Sequence, residues 1–258
     1  MRIPLRFKRF ALPAGLIAMV ALPSAILGAT PSGTASAAAA PAGPAAQVEA
    51  GKALFQTSCI TCHGIGGVGT KQGPTLIGVG AASTDFYLST GRMPLSAPAI
   101  RARRKRPAFD RTQIDQLIAY VVSLDPGGQP IPSLDLAGAD MSKGGQLFRL
   151  NCASCHGFAG RGGALSEGNQ APSLARATAL QIKEALRVGP GTMPAFSTTA
   201  LPEQDADAIV RYARYLGKPD NRGGAPLDYG GPIPEGLVAW LGGLGVLIAA
   251  SVWIGRAR

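Results

Sequence analysis

The chain has 258 residues, a hydrophobic fraction of 46% and a formal net charge of +10. A chain of this length forms one or two domains. Six of its basic residues lie beside apolar stretches at the two termini: Arg2, Arg6, Lys8, Arg9, Arg256 and Arg258. Positive charge in that position is typical of segments retained on the cytoplasmic side of a membrane. Without these six the charge is only +4, so the basic composition does not indicate nucleic-acid binding.

Residues 1–28 are predicted to be a basic head followed by an apolar export segment. Residues 11–28 contain no charged side chain, and this length lies between a signal peptide's hydrophobic region and a membrane span. The run Ala35-Ser36-Ala37 offers a cleavage site, so the segment is either cleaved or retained as a span. Residues 29–47 are rich in Ala, Pro and Gly and are predicted to form a flexible tether.

Every cysteine and histidine of the chain lies in two copies of one pentapeptide, Cys59-Ile60-Thr61-Cys62-His63 and Cys152-Ala153-Ser154-Cys155-His156. This is C-x-x-C-H, the attachment signature of c-type haem. Cysteines at this spacing lie on one side of a helical turn, so both sulfurs can add to the vinyl groups along one porphyrin edge. A thioredoxin-type pair or a zinc site would not explain a histidine after both pairs.

The sequence therefore predicts two covalently bound haem c groups, with His63 and His156 as the proximal iron ligands. Because thioethers would occupy all four cysteines, a disulfide framework is excluded by count. Covalent haem is attached outside the bacterial cytoplasm, which agrees with export.

The two motifs belong to an internal repeat. A helical pattern with a glycine and a phenylalanine precedes each one, and amphipathic helices are predicted at 115–124 and 205–216. The repeat predicts a mainly α chain with two tandem domains, at 48–126 and 141–217, joined by a linker at 127–140.

Two further pairs of residues recur in the repeat. Met93 and Met193, each followed by proline, are predicted sixth iron ligands, since a thioether is a soft, neutral ligand; the alternative is that they fill the core. Pro74 and Pro172 are predicted to accept a hydrogen bond from Nδ1–H of each histidine through their carbonyls. Alternatively, each proline only ends a loop.

The C-terminal part is predicted to anchor the chain. Residues 218–235 form a second linker, and residues 236–255 form an uncharged run with Trp240 and Trp253 near its ends. Such a run is long enough to cross a bilayer, and interfacial tryptophans are typical of membrane spans. A basic cluster at 101–106 is predicted to be a solvated loop, the alternative being a docking patch for an acidic partner.

The repeats resemble class I cytochrome c domains. The whole arrangement resembles the dihaem cytochrome c subunit (cytochrome cc) of actinobacterial cytochrome bc complexes, the menaquinol–cytochrome c reductases. The residues that carry this closer resemblance are GPTLIGVG at 73–80, STGRMP at 89–94, GGQLFRLNCASCHGFAGRGGAL at 144–165 and PIPEGLVAWL at 232–241.

The resemblance implies a subunit of a quinol-oxidising, proton-translocating enzyme that is itself an electron relay. It would assemble with a cytochrome b subunit and a Rieske iron–sulfur subunit, and pass electrons from the Rieske protein to a haem–copper cytochrome c oxidase. The haem domains would lie on the extracytoplasmic face of the cell membrane. Two alternatives are a membrane-tethered dihaem shuttle for another oxidase or reductase, and a dihaem peroxidase-like enzyme, against which two Met-Pro sites argue.

Overall fold

A computed structural model of the chain describes residues 43–99, 102–220, 227 and 232–256. The predicted export segment at 1–28 and the tether as far as residue 42 lie outside these residues. The described part is mainly helical, which confirms the predicted class. Its helices are α1 Pro44–Ser58, α2 Ile60–His63, α3 Ala81–Ser89, α4 Arg111–Leu124, α5 Met141–Asn151, α6 Ala153–His156, α7 Ala179–Val188, α8 Glu203–Gly217 and α9 Pro232–Arg256. Strands β1 Gly163–Ala164 and β2 Gln170–Ala171 pair antiparallel.

The first domain is built on the packing of α1 against α4. A proline at the start of α1 suits a helix N-terminus, because its fixed φ is already helical. Helix α4 starts at a capping box in which the Asp110 side chain accepts from Gln113 N at 2.9 Å. The two helices meet closely at Gly51 and are held by Phe55 against Tyr120, with ring centroids 5.1 Å apart. This pair lies in the core of the domain.

The second domain repeats this packing with α5 and α8. Phe148 and Tyr212 take the places of the first aromatic pair, with ring centroids 5.5 Å apart. Helix α5 starts at Asp140, whose side chain accepts from Ser142 N at 2.8 Å. The two predicted copies therefore form the same helix pair twice.

A glycine in each N-terminal helix allows the close approach. A Cβ added at Gly51 would lie 1.9 Å from Gln116 O, and one added at Gly144 would lie 2.0 Å from Ala208 O. Both obstacles are backbone atoms, which cannot move without displacing a whole helix. The repeated glycine therefore fixes how near the two helices of each domain can come.

We expect Gly144→Ala to destabilise the second domain by about 1–3 kcal/mol, because the extra methyl group overpacks a helix crossing. Thermal unfolding followed by circular dichroism measures the effect. Gly43→Ala is the matched control, since a Cβ there meets nothing within 4 Å and its φ of −58° suits alanine. An unchanged melting temperature in Gly144→Ala would contradict the crossing geometry.

The two domains contact each other through α3 and α7. The connecting segment is bonded to both domains. Ala82 N donates to Gln129 O at 3.0 Å, and Lys183 Nζ donates to Ser133 O at 2.6 Å. The segment predicted as a linker thus lies against both domains.

Helix α9 begins at Pro232, four residues before the predicted start at 236. Prolines are tolerated in the first turn of a helix, whose N–H groups have no partner within the helix. Residues Ile233–Arg256 are long and apolar enough to cross a membrane, at about 1.5 Å per residue and a hydrocarbon thickness of about 30 Å. Trp240 and Trp253 are both more than 70% exposed.

Candidate functional site

The first cysteine–histidine motif forms a short helical turn directly after α1. Cys59 N donates to Phe55 O at 2.8 Å, and His63 N donates to Cys59 O at 2.9 Å. The turn ends at Gly64, whose φ of 77° is accessible to glycine at little cost. The side chain of His63 is buried, and its Nδ1 lies 2.8 Å from Pro74 O.

The second motif has the same geometry after α5. His156 N donates to Cys152 O at 2.9 Å, and His156 Nδ1 lies 3.0 Å from Pro172 O. Because a carbonyl oxygen can only accept, Nδ1 must carry the hydrogen in both histidines. Nε2 therefore keeps its lone pair, which is the state in which imidazole binds a metal ion.

A glycine six residues after each histidine closes the loop that follows the motif, through a backbone hydrogen bond to that histidine. Gly69 N donates to His63 O at 2.7 Å, and Gly162 N donates to His156 O at 2.8 Å. Their φ values are 89° and 87°, and an added Cβ would lie 2.7 Å from Thr75 N and 2.4 Å from Ala171 O. These glycines are not among the predicted site residues, although the sequence places both at the same spacing from a histidine.

The two predicted methionine ligands occupy equivalent places. Met93 and Met193 are both half-buried and pack against the cores of the first and second domain, respectively. Met93 N donates to Tyr87 O at 3.0 Å, and Met193 N donates to Pro190 O at 3.2 Å. Each methionine is thus held by a turn next to its own core.

One cavity of about 1380 Å³ joins the two sites. Pockets for a single drug-sized ligand are roughly 300–1,000 Å³, so this cavity has room for larger groups. Its lining includes nearly all the residues predicted for both sites, together with the two core phenylalanines: Phe55, Cys59, His63, Pro74, Met93, Phe148, Cys152, Cys155, His156, Pro172 and Met193.

The first cysteine of each motif does not readily lose its proton to form a thiolate. Burial, and after it the neighbouring Cys62, raises the pKa of Cys59 to about 11. Burial and Cys155 likewise raise the pKa of Cys152 to about 11. A redox-active cysteine requires a thiolate, which a low pKa favours, so these environments argue against a thioredoxin-type pair. Burial lowers the pKa of His156 despite its bond to Pro172, which favours the neutral imidazole.

Arg92 on the cavity wall has one guanidinium nitrogen that is left without a partner by the described residues. Arg92 Nη1 is buried and has no hydrogen-bond partner among the described residues, while its guanidinium lies 4.7 Å from the centre of the Phe86 ring. Burial, and next the charge of Arg104, lowers the pKa of Arg92. Both arginines line the cavity. A buried N–H group without an acceptor is costly, and a haem propionate would accept from Arg92 Nη1, so this residue fits haem.

The basic cluster at 101–106 is exposed from 103 onward, as predicted for a solvated loop, and Arg101 lies outside the described residues. Two of its side chains are nevertheless bonded. Lys105 Nζ donates to Pro94 O at 2.6 Å, and Arg104 Nη2 donates to Gln181 Oε1 of the second domain at 2.9 Å. The cluster therefore contributes to the contact between the domains.

These two turns, with their oriented histidines and duplicated helix crossing, are those of cytochromes c. The cytochrome c family model matches residues 48–125, and the model for subunit III of cbb3-type cytochrome c oxidase matches residues 139–212. The chain therefore has two tandem cytochrome c domains, as predicted, and two such domains indicate haem c binding.

Relatives that match most of the chain identify the family to which it belongs. The cytochrome bc1 complex cytochrome c subunit of Mycobacterium tuberculosis is 42% identical over 257 residues, which cover 96% of this chain and 91% of that protein. The protein of the same name from Corynebacterium diphtheriae is 40% identical over 227 residues and 81% of each chain. The chain belongs to this family of cytochrome c subunits of bacterial cytochrome bc1 complexes, which confirms the resemblance. Its function is electron transfer in a respiratory complex, and α9 suggests membrane association.

Proposed function

We propose that the chain holds two covalent haem c groups and relays electrons within a respiratory quinol–cytochrome c reductase, from the Rieske iron–sulfur subunit to a haem–copper terminal oxidase. The observation that carries this proposal is the single cavity lined by both histidine sites. A relay needs its two redox groups close together, and a shared cavity supports that closeness.

The proposal gives each predicted site residue a role. The four cysteines of the motifs would form thioethers, and the buried histidines would offer Nε2 to iron. The carbonyls of Pro74 and Pro172 fix the histidine rings and raise their basicity through the Nδ1–H bonds. Met93 and Met193 would each supply a thioether ligand to iron in their own domains. When bound, haem c takes up and gives up one electron at its iron, and a thioether ligand favours the reduced state.

Two of the residues that line the cavity are buried aromatic side chains of the domain cores. Phe55 and Phe148 are 1% exposed and line the cavity, where they form an apolar wall. Low polarity and limited solvent access tune the reduction potential of a buried iron centre. The duplicated phenylalanine therefore has a role in the redox site besides its role in the core.

The domain division supports a membrane-bound relay. We propose cytochrome c domains at 48–126 and 141–217, a linker at 127–140, a second linker at 218–235 and a membrane anchor at 236–255. Arg256 and Arg258 after the apolar run favour a cytoplasmic C-terminus. The haem domains then lie on the extracytoplasmic face, together with the Rieske and copper domains of the proposed partners.

Affinity purification of the tagged full-length chain from mild detergent tests the proposal. We expect a cytochrome b subunit, a Rieske subunit and a haem–copper oxidase to co-purify, and the intact mass of the denatured chain to exceed the polypeptide by two haems. A chain with two haems that purifies alone would favour a membrane-tethered shuttle. A chain with no bound haem would overturn the proposal.

A further inference from the structure

The contact between the two domains includes two polar pairs. Asp85 and Ser89 are four residues apart in α3 and therefore lie on one face of that helix. Gln181 and Glu184 are three residues apart in α7 and likewise share a face. Ser89 faces Gln181 in one interface pair, and Asp85 faces Glu184 in the other. Gln181 Nε2 donates to Ser89 O at 3.3 Å and to Ser89 Oγ at 3.2 Å. The other pair consists of two carboxyl groups, Asp85 and Glu184.

Both carboxyl groups are shielded from water. The exposed fraction is 1% for Asp85 and 0% for Glu184. Arg111 Nη1 donates to Asp85 Oδ1 at 2.7 Å. Glu184 has no such donor, since neither its Oε1 nor its Oε2 has a hydrogen-bond partner among the described residues. The nearest influence of like charge on it comes from the carboxyl of Asp85 on the facing helix, and an ionised carboxyl can only accept.

Two ionised carboxylates cannot stably occupy this place. A buried charge without a hydrogen-bond donor is strongly disfavoured, and two adjacent like charges cannot both remain ionised. One proton removes both problems: Glu184 becomes a donor, and Asp85 accepts from it while keeping its ion pair with Arg111. Burial, and next the charge of Asp85, raises the pKa of Glu184 to about 9.

The other charged groups nearby do not replace this proton. On α7 itself, Lys183 Nζ bonds Asp207 at 2.7 Å, and Arg187 Nη2 bonds Glu203 at 2.6 Å. Both cations are therefore paired with carboxylates of the second domain and not with Glu184. On α4, the charge of Arg111 acts on Glu184 in the opposite direction but more weakly. Other charges close to the interface include Asp115, which bonds Arg111, and Arg104, which bonds Gln181 and is influenced by Arg176. Arg92 lies over the ring of Phe86 on α3.

We propose that Glu184 and Asp85 share one proton across the interface between the two cytochrome c domains, and that this proton holds α3 against α7. Because this packing brings the two sites to one cavity, the pair positions the two haem domains for electron transfer. This second step depends on the function proposed above. The shared proton itself does not.

The sign of the pH effect follows from linkage. In separated domains Glu184 would return to an ordinary pKa near 4.5, whereas it is raised when the domains are packed. The stabilisation is complete below pH 4.5 and is lost as pH rises through the raised pKa. Between these values the equilibrium between packed and separated domains is expected to shift by up to about tenfold per pH unit toward separation.

Infrared spectroscopy of the full-length chain in detergent tests the shared proton directly. At neutral pH the wild type should show the C=O stretch of a protonated, buried carboxylic acid, and Glu184→Gln should remove it. Asp85→Asn should also remove this C=O band. The asparagine amide can donate a hydrogen bond to Glu184, so Glu184 can ionise and no protonated carboxylic acid is left. Asp115→Asn is the matched control, since it changes an exposed partner of Arg111 and should keep the band. An identical band in wild type and Glu184→Gln overturns the proposal.

The positioning role is tested in the same samples, by flash photoreduction and the rate of electron transfer between the haems. In the wild type, the fraction of molecules with fast transfer should fall as pH rises toward 9. Glu184→Gln, whose amide donates to Asp85 at every pH, should retain fast transfer and lose the pH dependence, whereas Glu184→Ala should lose fast transfer. Equal pH profiles in the wild type and Glu184→Gln refute the role. A sample that lacks haem contradicts the proposed function alone, because the infrared band does not depend on haem.

Discussion

Replacing Met193 with alanine is expected to lower the reduction potential of one haem and to leave the other nearly unchanged. Met193 packs on the core of the second domain and lines the cavity with His156. A thioether favours Fe(II), so its loss favours Fe(III) and lowers the potential. Axial ligands set haem potentials over ~0.8 V, and we expect a fall on the order of 100 mV. The far-red charge-transfer band of oxidised His/Met haem should lose about half its intensity, because it disappears at one of the two haems.

Two further variants make this experiment specific. Met93→Ala should lower the potential of the other haem, so the pair assigns each potential to a domain. Met141→Ala is the matched control, because this methionine begins α5 and is not among the residues that line the cavity. Unchanged potentials and an unchanged band in Met193→Ala would show that the sulfur is core filler and not a ligand.

Much of each domain could be predicted because its signals are local and occur twice. The spacing of cysteines and histidine specifies one helical turn, and Phe55 and Phe148 lie one turn before the first cysteine. Both phenylalanines are buried at the crossing of the N- and C-terminal helices. The prolines were chosen only for their carbonyls and their place in the repeat, and both carbonyls lie within 3.0 Å of a histidine Nδ1.

The contact between the domains could not be predicted, because no local pattern specifies it. Ser89 and Gln181 are 92 residues apart in the chain, and neither belongs to a feature that the repeat duplicates. Asp85 and Glu184 would each be read as an ordinary exposed charge in a helix. Only the packing of α3 against α7 makes them buried neighbours. Likewise, helix α9 begins at Pro232, before the uncharged run that starts at residue 236, because prolines are tolerated in the first turn of a helix.

The largest effect is expected from removing the attachment cysteines of one domain. In Cys152→Ser/Cys155→Ser the second domain can form no thioether, and we expect the intact mass to fall by one haem. The cavity wall around His156 then lacks the group that fills it. Apolar residues of this wall, such as Phe148 and Ile209, would then face water. Burial of apolar surface contributes about 25 cal/mol per Å², whereas a domain has only about 5–15 kcal/mol of stability. Exposing on the order of a few hundred Å² of this wall is therefore expected to unfold the domain.

Hydrogen exchange resolved along the chain measures this unfolding. Helices α5 to α8 should lose their slow exchange in this double variant, whereas α1 and α4 should stay protected, because their core around Phe55 and Leu117 belongs to the first domain. Ser154→Ala is the matched control, since this exposed residue lies in the same turn and attaches nothing. The reciprocal variant, Cys59→Ser/Cys62→Ser, should expose the first domain instead. Loss of both haems from either variant would mean that the two domains do not load independently, and retention of both would exclude thioether attachment at the substituted motif.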